Sequence, residues 1–350
     1  MSGTCAHVDV VHSAIAAGNA ARSPMVASWS RSARLYGLDP ANRKPPHRLT
    51  AAEFANVRER MEPWISAAGA SLDRLFGAVG AAGCCVLLAD SDGVPVERRG
   101  VAGDDATFDD WGLWPGALWS EATEGTNGIG TCVIERRPVT VHRDQHFLAR
   151  NGALGCIAAP IHDHDGELVG VLDVSSCRTD LTATFAGLIA LSVREAARRI
   201  EAEAFRRSFA HARILAVSGL EHNPAALVAV TADDLAIGAS HSARLALGIK
   251  GNLAKAPVPA SDLLSVPGVE SLEEAERAVL TRALARTGGN VSAAARILGI
   301  SRATFHRKLG HRKSGHRKSG AKRPEAVTQD PAAPCRIPAT DAPSLPRDGG

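Results

Sequence analysis

Toward one end the chain reads GGNVSAAARILGISRATFHRKL, Gly288 to Leu309. Small, basic and hydroxyl-bearing residues recur there at helical spacing. Arginine pairs with guanine edges in the major groove, while Ser and Thr hydroxyls and a helix N-terminus meet phosphate. Ser301, Arg302, Thr304, His306, Arg307 and Lys308 are therefore the candidate DNA-contacting residues.

A second set of chemistry-bearing residues lies near the middle. Trp111, Trp114 and Trp119 sit in a Gly-rich loop. They either line a pocket for a small, partly apolar effector or pin the loop to the fold. Glu121 precedes Gly125-Thr126-Asn127-Gly128, whose backbone N–H groups could face an anion or carbonyl, or close a structural turn. With Cys156, the candidate effector-binding residues are Trp114, Trp119, Glu121, Thr126 and Asn127. His142, His146, Cys156, His162 and His164, with Asp163 and Asp165, lack the tight spacing of a metal set, and no metal or cofactor is expected. The 162–165 run reads as a solvated hairpin tip. Cys84, Cys85 and Cys132 read as buried thiols; the alternative is a redox centre, although no neighbour in sequence lowers a thiol pKa.

The elements that must position these residues follow from patterning. The 350 residues are 45% hydrophobic and only 4% aromatic, which implies two or three domains with aliphatic cores. No run of 18 apolar residues occurs, and the first residues lack a basic leader, so neither a membrane span nor a signal peptide is expected. Seven scattered cysteines without a C-x-x-C pair suit a reduced, cytoplasmic chain. Between Arg277 and Arg323 lie 13 basic residues and no acidic one, leaving 27 basic against 37 acidic elsewhere, a net of −10. An acidic body thus carries one basic end, as in a polyanion-binding module.

Residues 24–80 read mostly as helix, and Thr50 with Glu53 makes a capping box. CCVLLAD and VPVERRG are strands about a Ser-Asp-Gly turn, helix resumes near 129–135, and PVTVH is a strand. A hairpin follows, with arms 156–161 and 168–174 turned at 163–166. From Leu181 to about Ala216 one long helix carries Leu188, Leu191, Ala196, Ile200 and Phe205 near heptad spacing. It either forms a parallel dimer seam or packs back on its own sheet. The expected divisions are a helical lead-in (1–50), a sensor domain ending in the long helix (51–215), a remnant hairpin and helix (216–250), a linker (251–270), a helix-turn-helix (271–310) and a basic, then Pro-rich, disordered tail (311–350).

Within 271–310 the first helix would turn Leu272, Ala275, Val279 and Ala283/Leu284 inward. Asn290 caps a second helix with Val291, Ala294, Ala295 and Leu298 inside. Gly299 supplies the left-handed residue of a sharp turn, Ile300 plugs the gap, and Ser301 caps a third helix with Phe305 and Leu309 toward the core.

That stretch closely resembles the Fis-type helix-turn-helix that ends many bacterial enhancer-binding activators. By resemblance its DNA contacts fall on Ser301, Arg302, Thr304, His306 and Arg307, with His306 departing from the usual Arg or Tyr. SWSRSARLYGLDP, LWSEATEGTNGIGTCVIERRPVTVHRDQHF and CIAAPIHDHDGELVGVLDVSS resemble the N-terminal half of acetoin-catabolism regulators over about residues 24–250. The resemblance implies an α+β chain: a GAF domain, with a central antiparallel sheet flanked by helices, plus a small all-α module. It implies a PAS-like origin for 216–250. Full-length members place a sigma-54-activating ATPase between sensor and helix-turn-helix, but no G-x-x-x-x-G-K-[ST] string occurs here. The expectation is a non-enzymatic, homodimeric regulator of double-stranded DNA that answers a small-molecule effector, with RNA polymerase as a further partner. A GAF-fold thiol enzyme like the free methionine sulfoxide reductases and a nucleoid-type architectural protein are the alternatives.

Overall fold

A computed structural model describes residues 2–178, 183–219, 224–264 and 271–310. The start of the long helix at Leu181, the end of the linker and the tail from 311 lie outside them. The chain divides into two compact units at residues 268/269.

The first unit opens with α1 (Ser2–Ala16) and α2 (Pro24–Ser30), then the 29-residue α3 (Ala51–Val79). The capping box at Thr50 forms: its hydroxyl accepts from the Glu53 N–H, and the Glu53 carboxylate accepts from the Thr50 N–H. Next come β1 (Cys84–Asp90), β2 (Pro95–Arg99), α4 (Asp105–Asp110), α5 (Glu121–Glu124), α6 (Gly128–Glu135), β3 (Val139–His142), β4 (Gly155–His162), β5 (Leu168–Ser176) and α7 (Ala183–Ser208). The strands form one antiparallel sheet in the order β2-β1-β5-β4-β3.

Both faces of this sheet are covered, which explains why CCVLLAD is apolar without alternation. Cys84, Val86 and Leu88 face a core shared with α3 and α7. Cys85, Leu87 and Ala89 face a second core with Phe108, Leu113, Trp119 and Ile129. The expected hairpin and strands are all present: β1 has its expected bounds, β2 and β3 are shorter by one or two residues, and the hairpin arms are longer by two.

The long helix differs from its expected course. It ends at Ser208, and Arg213–Ala216 is a strand, β6. Ile189, Val193, Ala196, Ala197 and Ile200 bury against α3 and the sheet, while Leu188 and Leu191 remain 57% and 53% exposed. Of the two courses open to it, the helix packs back on its own sheet. An Ala/Leu-rich helix carries more apolar positions than one face uses, so two stripes compete and the tertiary contacts choose.

β6 joins β7 (Leu227–Val230), β8 (Leu235–Ala239) and, after α8 (His241–Leu247), β9 (Val258–Pro259) in a second antiparallel sheet. α9 (Ala260–Leu264) follows. Val217, Val228, Val230, Ala239, Leu253 and Ala260 give this lobe its own core. The first part of the expected linker is therefore folded.

The second unit contains α10 (Leu272–Arg286), α11 (Val291–Ile297) and α12 (Arg302–Gly310). Its core is Leu280, Ala283, Ala294, Ala295 and Phe305, with Leu284, Val291, Leu298 and Ile300 packed around them. The inner stripe of α10 is thus rotated from expectation: Leu280 is buried, whereas Leu272 and Val279 are 86% and 41% exposed, and Leu309 is also surface. Two apolar stripes again share one helix.

Candidate functional site

The helix-turn-helix is built by local chemistry. The Asn290 carboxamide oxygen accepts from the Ala293 N–H at 3.1 Å and starts α11. Gly299 takes φ +65°, a left-handed backbone that a side chain would strain, and turns the chain in three residues. The Ser301 hydroxyl accepts from the Thr304 N–H at 3.0 Å and starts α12. Ala294 and Ala295 are fully packed, so α12 approaches closely, and Phe305 is completely buried in the resulting space. One helical register then fixes the rest. With Phe305 inward, Ser301, Arg302, His306 and Arg307 face solvent and Thr304 is half-buried beside them.

Lys308 is placed differently. Its ammonium pairs with Glu276 on α10, so it braces the module internally. Glu276 lies 32 residues away, which made that engagement invisible to local pattern. Arg302, His306 and Arg307 form no ion pair among the described residues and lie on the surface, with Arg307 lining a crevice shared with Glu273, Glu274 and Glu276 of α10. Arginine on such a surface can both neutralise phosphate and read guanine.

In the first unit, the candidate effector-binding residues lie on the sheet face covered by α4–α6, and most are engaged with protein. Trp119 is buried, and its indole N–H donates to the Gly112 carbonyl at 2.6 Å. Trp114 is half-exposed and stacks on the Arg98 guanidinium at 4.5 Å. Glu121 is 1% exposed and accepts from Arg31 Nε at 2.9 Å and from the Ser28 hydroxyl at 3.1 Å. Ser28 also bonds Thr126 Oγ1 at 2.6 Å. Asn127 caps α6 by accepting from the Gly130 N–H, and its amide donates to the Gly125 carbonyl. Gly130 is required there: a Cβ would fall 2.4 Å from the Glu121 nitrogen.

Cys156 belongs to a buried polar chain. His146 Nδ1 lies 2.9 Å from the Arg143 carbonyl, which only accepts, so that nitrogen carries the proton. His146 Nε2 then accepts from the Cys156 thiol at 3.4 Å. The Ser175 hydroxyl reaches both Cys156 Sγ, at 3.2 Å, and the Asp173 carboxylate, at 2.6 Å. Burial pushes the Asp173 carboxyl up to about 7, despite the Ser175 bond, and holds His146 down to about 4. Burial also raises the thiols of Cys84, Cys85, Cys132 and Cys156, the opposite of what a nucleophilic or redox-active sulfur needs.

Sequence reasoning missed Ser28, Arg31, Arg98 and Asp173. The first two reach the site from α2 and the turn after it, about 90 residues before Glu121. Asp173 is a charged residue in an otherwise buried strand, which is the one signal that could have found it, whereas Arg98 stands between Glu97 and Arg99 and carries no such signal. The 162–165 tip is only partly solvated: Asp165 is exposed and Asp163 and His164 are half-buried, but His162 is not on the surface. His162 is 7% exposed, donates its backbone N–H to Glu201 at 2.8 Å and stacks on His241 at 3.9 Å. Arg244 donates to the His164 carbonyl and Asn252 to Asp165, so the tip docks the small lobe onto the larger one. Among the described residues no three His, Cys, Asp or Glu side chains converge as a metal set, and no helix is long and apolar enough to cross a membrane.

Residues 65–200 match the GAF domain family and residues 271–310 the bacterial regulatory protein Fis family. The chain is 35% identical over 234 residues to the acetoin catabolism regulatory protein of Cupriavidus necator, a match covering 66% of this chain and 35% of that protein. It is 30% identical over 154 residues to the acetoin dehydrogenase operon transcriptional activator AcoR of Bacillus subtilis, covering 44% and 25%. Among solved structures it is similar to the E. coli DhaR(N)–DhaL complex, with 19% identity, a TM-score of 0.48 and coverage of 65% and 76%. The chain spans about a third or less of the curated relatives' length.

Proposed function

For a chain that joins a GAF domain to a Fis-family helix-turn-helix and is homologous to the acetoin catabolism regulators, we propose a sequence-specific, effector-responsive DNA-binding function that works without an ATPase. The carrying observation is the solvent face of α12, where Arg302, His306 and Arg307 lie exposed beside the cap Ser301. Phosphate contacts would set register and the two arginines would read base edges.

A homodimer is part of this reading. Leu272 and Val279, seven residues apart on α10, leave an apolar strip exposed, and burying such a strip against its copy would pair two recognition helices. The effector's place is the layer under α5 and α6, which holds Glu121, Thr126, Asn127 and Cys156. Ser28, which bonds Glu121 and Thr126, also lines a crevice of about 250 Å³ between α2, α6 and β3. The absence of a P-loop motif in the sequence supports action by promoter occlusion, by contact with ordinary RNA polymerase, or by competition for a relative's site.

A gel-shift titration against DNA upstream of its own gene, with random DNA as competitor, tests the function. Preference of tenfold or more for one duplex, lost in Arg302→Ala/Arg307→Ala, is expected. Equal affinity for specific and random duplexes would leave only an architectural role.

A further inference from the structure

We propose that the seam between the two lobes of the first unit is a binding site for a small multivalent anion, a phosphate ester or polycarboxylate, separate from both the α4–α6 layer and the DNA module. The seam opens as a crevice of about 550 Å³ between the β3/β4 edge, α7 and α8. Arg136, Arg137, Arg194 and Arg198 line it together with His162 and His241. Its one acidic residue, Glu201, is turned to internal use: a single oxygen accepts both the backbone N–H of His162 and His162 Nδ1, at 2.8 and 3.2 Å. Four arginines therefore line the crevice against a single carboxylate, one oxygen of which is already committed to His162.

The arginines are available. Arg194 makes no ion pair among the described residues. Arg136 reaches Glu167 only at 3.7 Å, Arg137 reaches Glu135 at 3.4 Å and Arg198 reaches Glu195 at 2.9 Å, all with side chains at least 40% exposed on the arginine side. Such surface pairs contribute little and exchange readily for an anion held by several forks at once.

Backbone geometry is a second, independent observation. Arg136 closes α6 with φ +49°, where glycine is the low-cost residue and a long side chain is unfavourable. A strained position held by arginine at the mouth of a cationic crevice is the pattern of a site that uses the side chain. The apolar floor of Ala159, Pro160 and Ala197 would accommodate a short carbon body behind the charged groups. Since the crevice wall comes from both lobes, an anion there would fix the small lobe on the sensor sheet.

The test is isothermal titration and thermal shift on the full chain with pyrophosphate and with citrate as probes. Three variants accompany the wild type: Arg194→Gln/Arg198→Gln, Arg302→Ala/Arg307→Ala and Arg136→Gly. The expected result is saturable binding of at least one probe that survives the substitutions in the DNA module. It should weaken tenfold or more in the seam double variant. Arg136→Gly should keep or raise the melting temperature without ligand while weakening the same probe, since glycine relieves the backbone and removes the charge. Binding of pyrophosphate alone would assign phosphate chemistry, and of citrate alone carboxylate chemistry. The proposal is overturned by no saturable binding, by unchanged affinity in the seam variants, or by binding that disappears with Arg302 and Arg307.

Discussion

Single residues divide here into those that hold and those that are free to act. Phe305 is completely buried at the centre of the second unit, and Phe305→Ala should cost about 3–5 kcal/mol, enough to unfold so small a core. Arg302→Ala, on the exposed face of the same helix, should leave the melting temperature unchanged and weaken DNA binding; circular dichroism melts beside gel shifts separate the two effects. Buried titrating groups in the GAF domain make a prediction about pH. The fold favours the neutral form of Asp173, raised to about 7 chiefly by burial, and of Glu124, raised to about 7 by burial against the pull of Arg150. This stabilisation is complete below the ordinary carboxylate values and is lost as the pH rises through 7. The neutral form of His146 is favoured likewise, so its contribution is complete above 6.5 and is lost as the pH falls through about 4. The GAF domain should therefore melt lower at pH 8 than at pH 6, and Asp173→Asn should narrow that gap; an equal gap in the variant would show that Asp173 does not carry it. At this scale the sequence was informative wherever partners are neighbours. The caps at Thr50, Asn290 and Ser301 close within three residues and were legible. Arg31 on Glu121 and Lys308 on Glu276 were not, because nothing local encodes a contact across 90 or 32 residues.

Among elements, the strands of the main sheet were readable because burial on both faces writes continuous apolar runs. Helix faces were harder. α7 and α10 each carry two apolar stripes, and a 3.5-residue spacing cannot say which is inward. For α7 the stripe through Ile189, Val193 and Ile200 won, since α3 and the sheet offer it a larger surface. For α10 the stripe through Leu280 and Ala283 won, leaving Leu272 and Val279 outside. That outcome gives the dimer proposal its sharpest form. Val279→Asp adds a charge at a position already 41% exposed, so the fold of the isolated unit should survive while self-association fails. Sedimentation at micromolar concentration should show a monomer, and affinity for a two-fold DNA site should fall far more than for a half-site. An unchanged dimer would move the seam elsewhere, with exposed Leu188 and Leu191 on α7 the next surface to alter.

The whole molecule is an acidic body with one basic end, and its charge is partitioned twice. Within 271–310 the cations are spread over three ordered helices, and on the proposed reading Arg302 and Arg307 of α12 discriminate bases. Beyond Gly310 the tandem GHRKSGHRKSGAKRP adds six more basic residues in sequence without patterning for a core. On the proposed reading, phosphate contacts from such a segment raise affinity for every duplex alike, whereas α12 raises it for one. The two contributions separate by salt. Each neutralised phosphate contributes about 0.9 to the slope of log affinity against log salt on duplex DNA. Ending the chain after Gly310 should therefore flatten that slope by several units if most of the six cations touch DNA. Affinity for random DNA should drop along with it, and the ratio of specific to random binding should be kept or increased, because no base-reading side chain is lost. Arg302→Ala/Arg307→Ala should do the reverse, collapsing the ratio while changing the slope by about two units or less. If truncation left the slope unchanged, the repeat would not engage phosphate, and the basic end's affinity would rest on the helix-turn-helix alone.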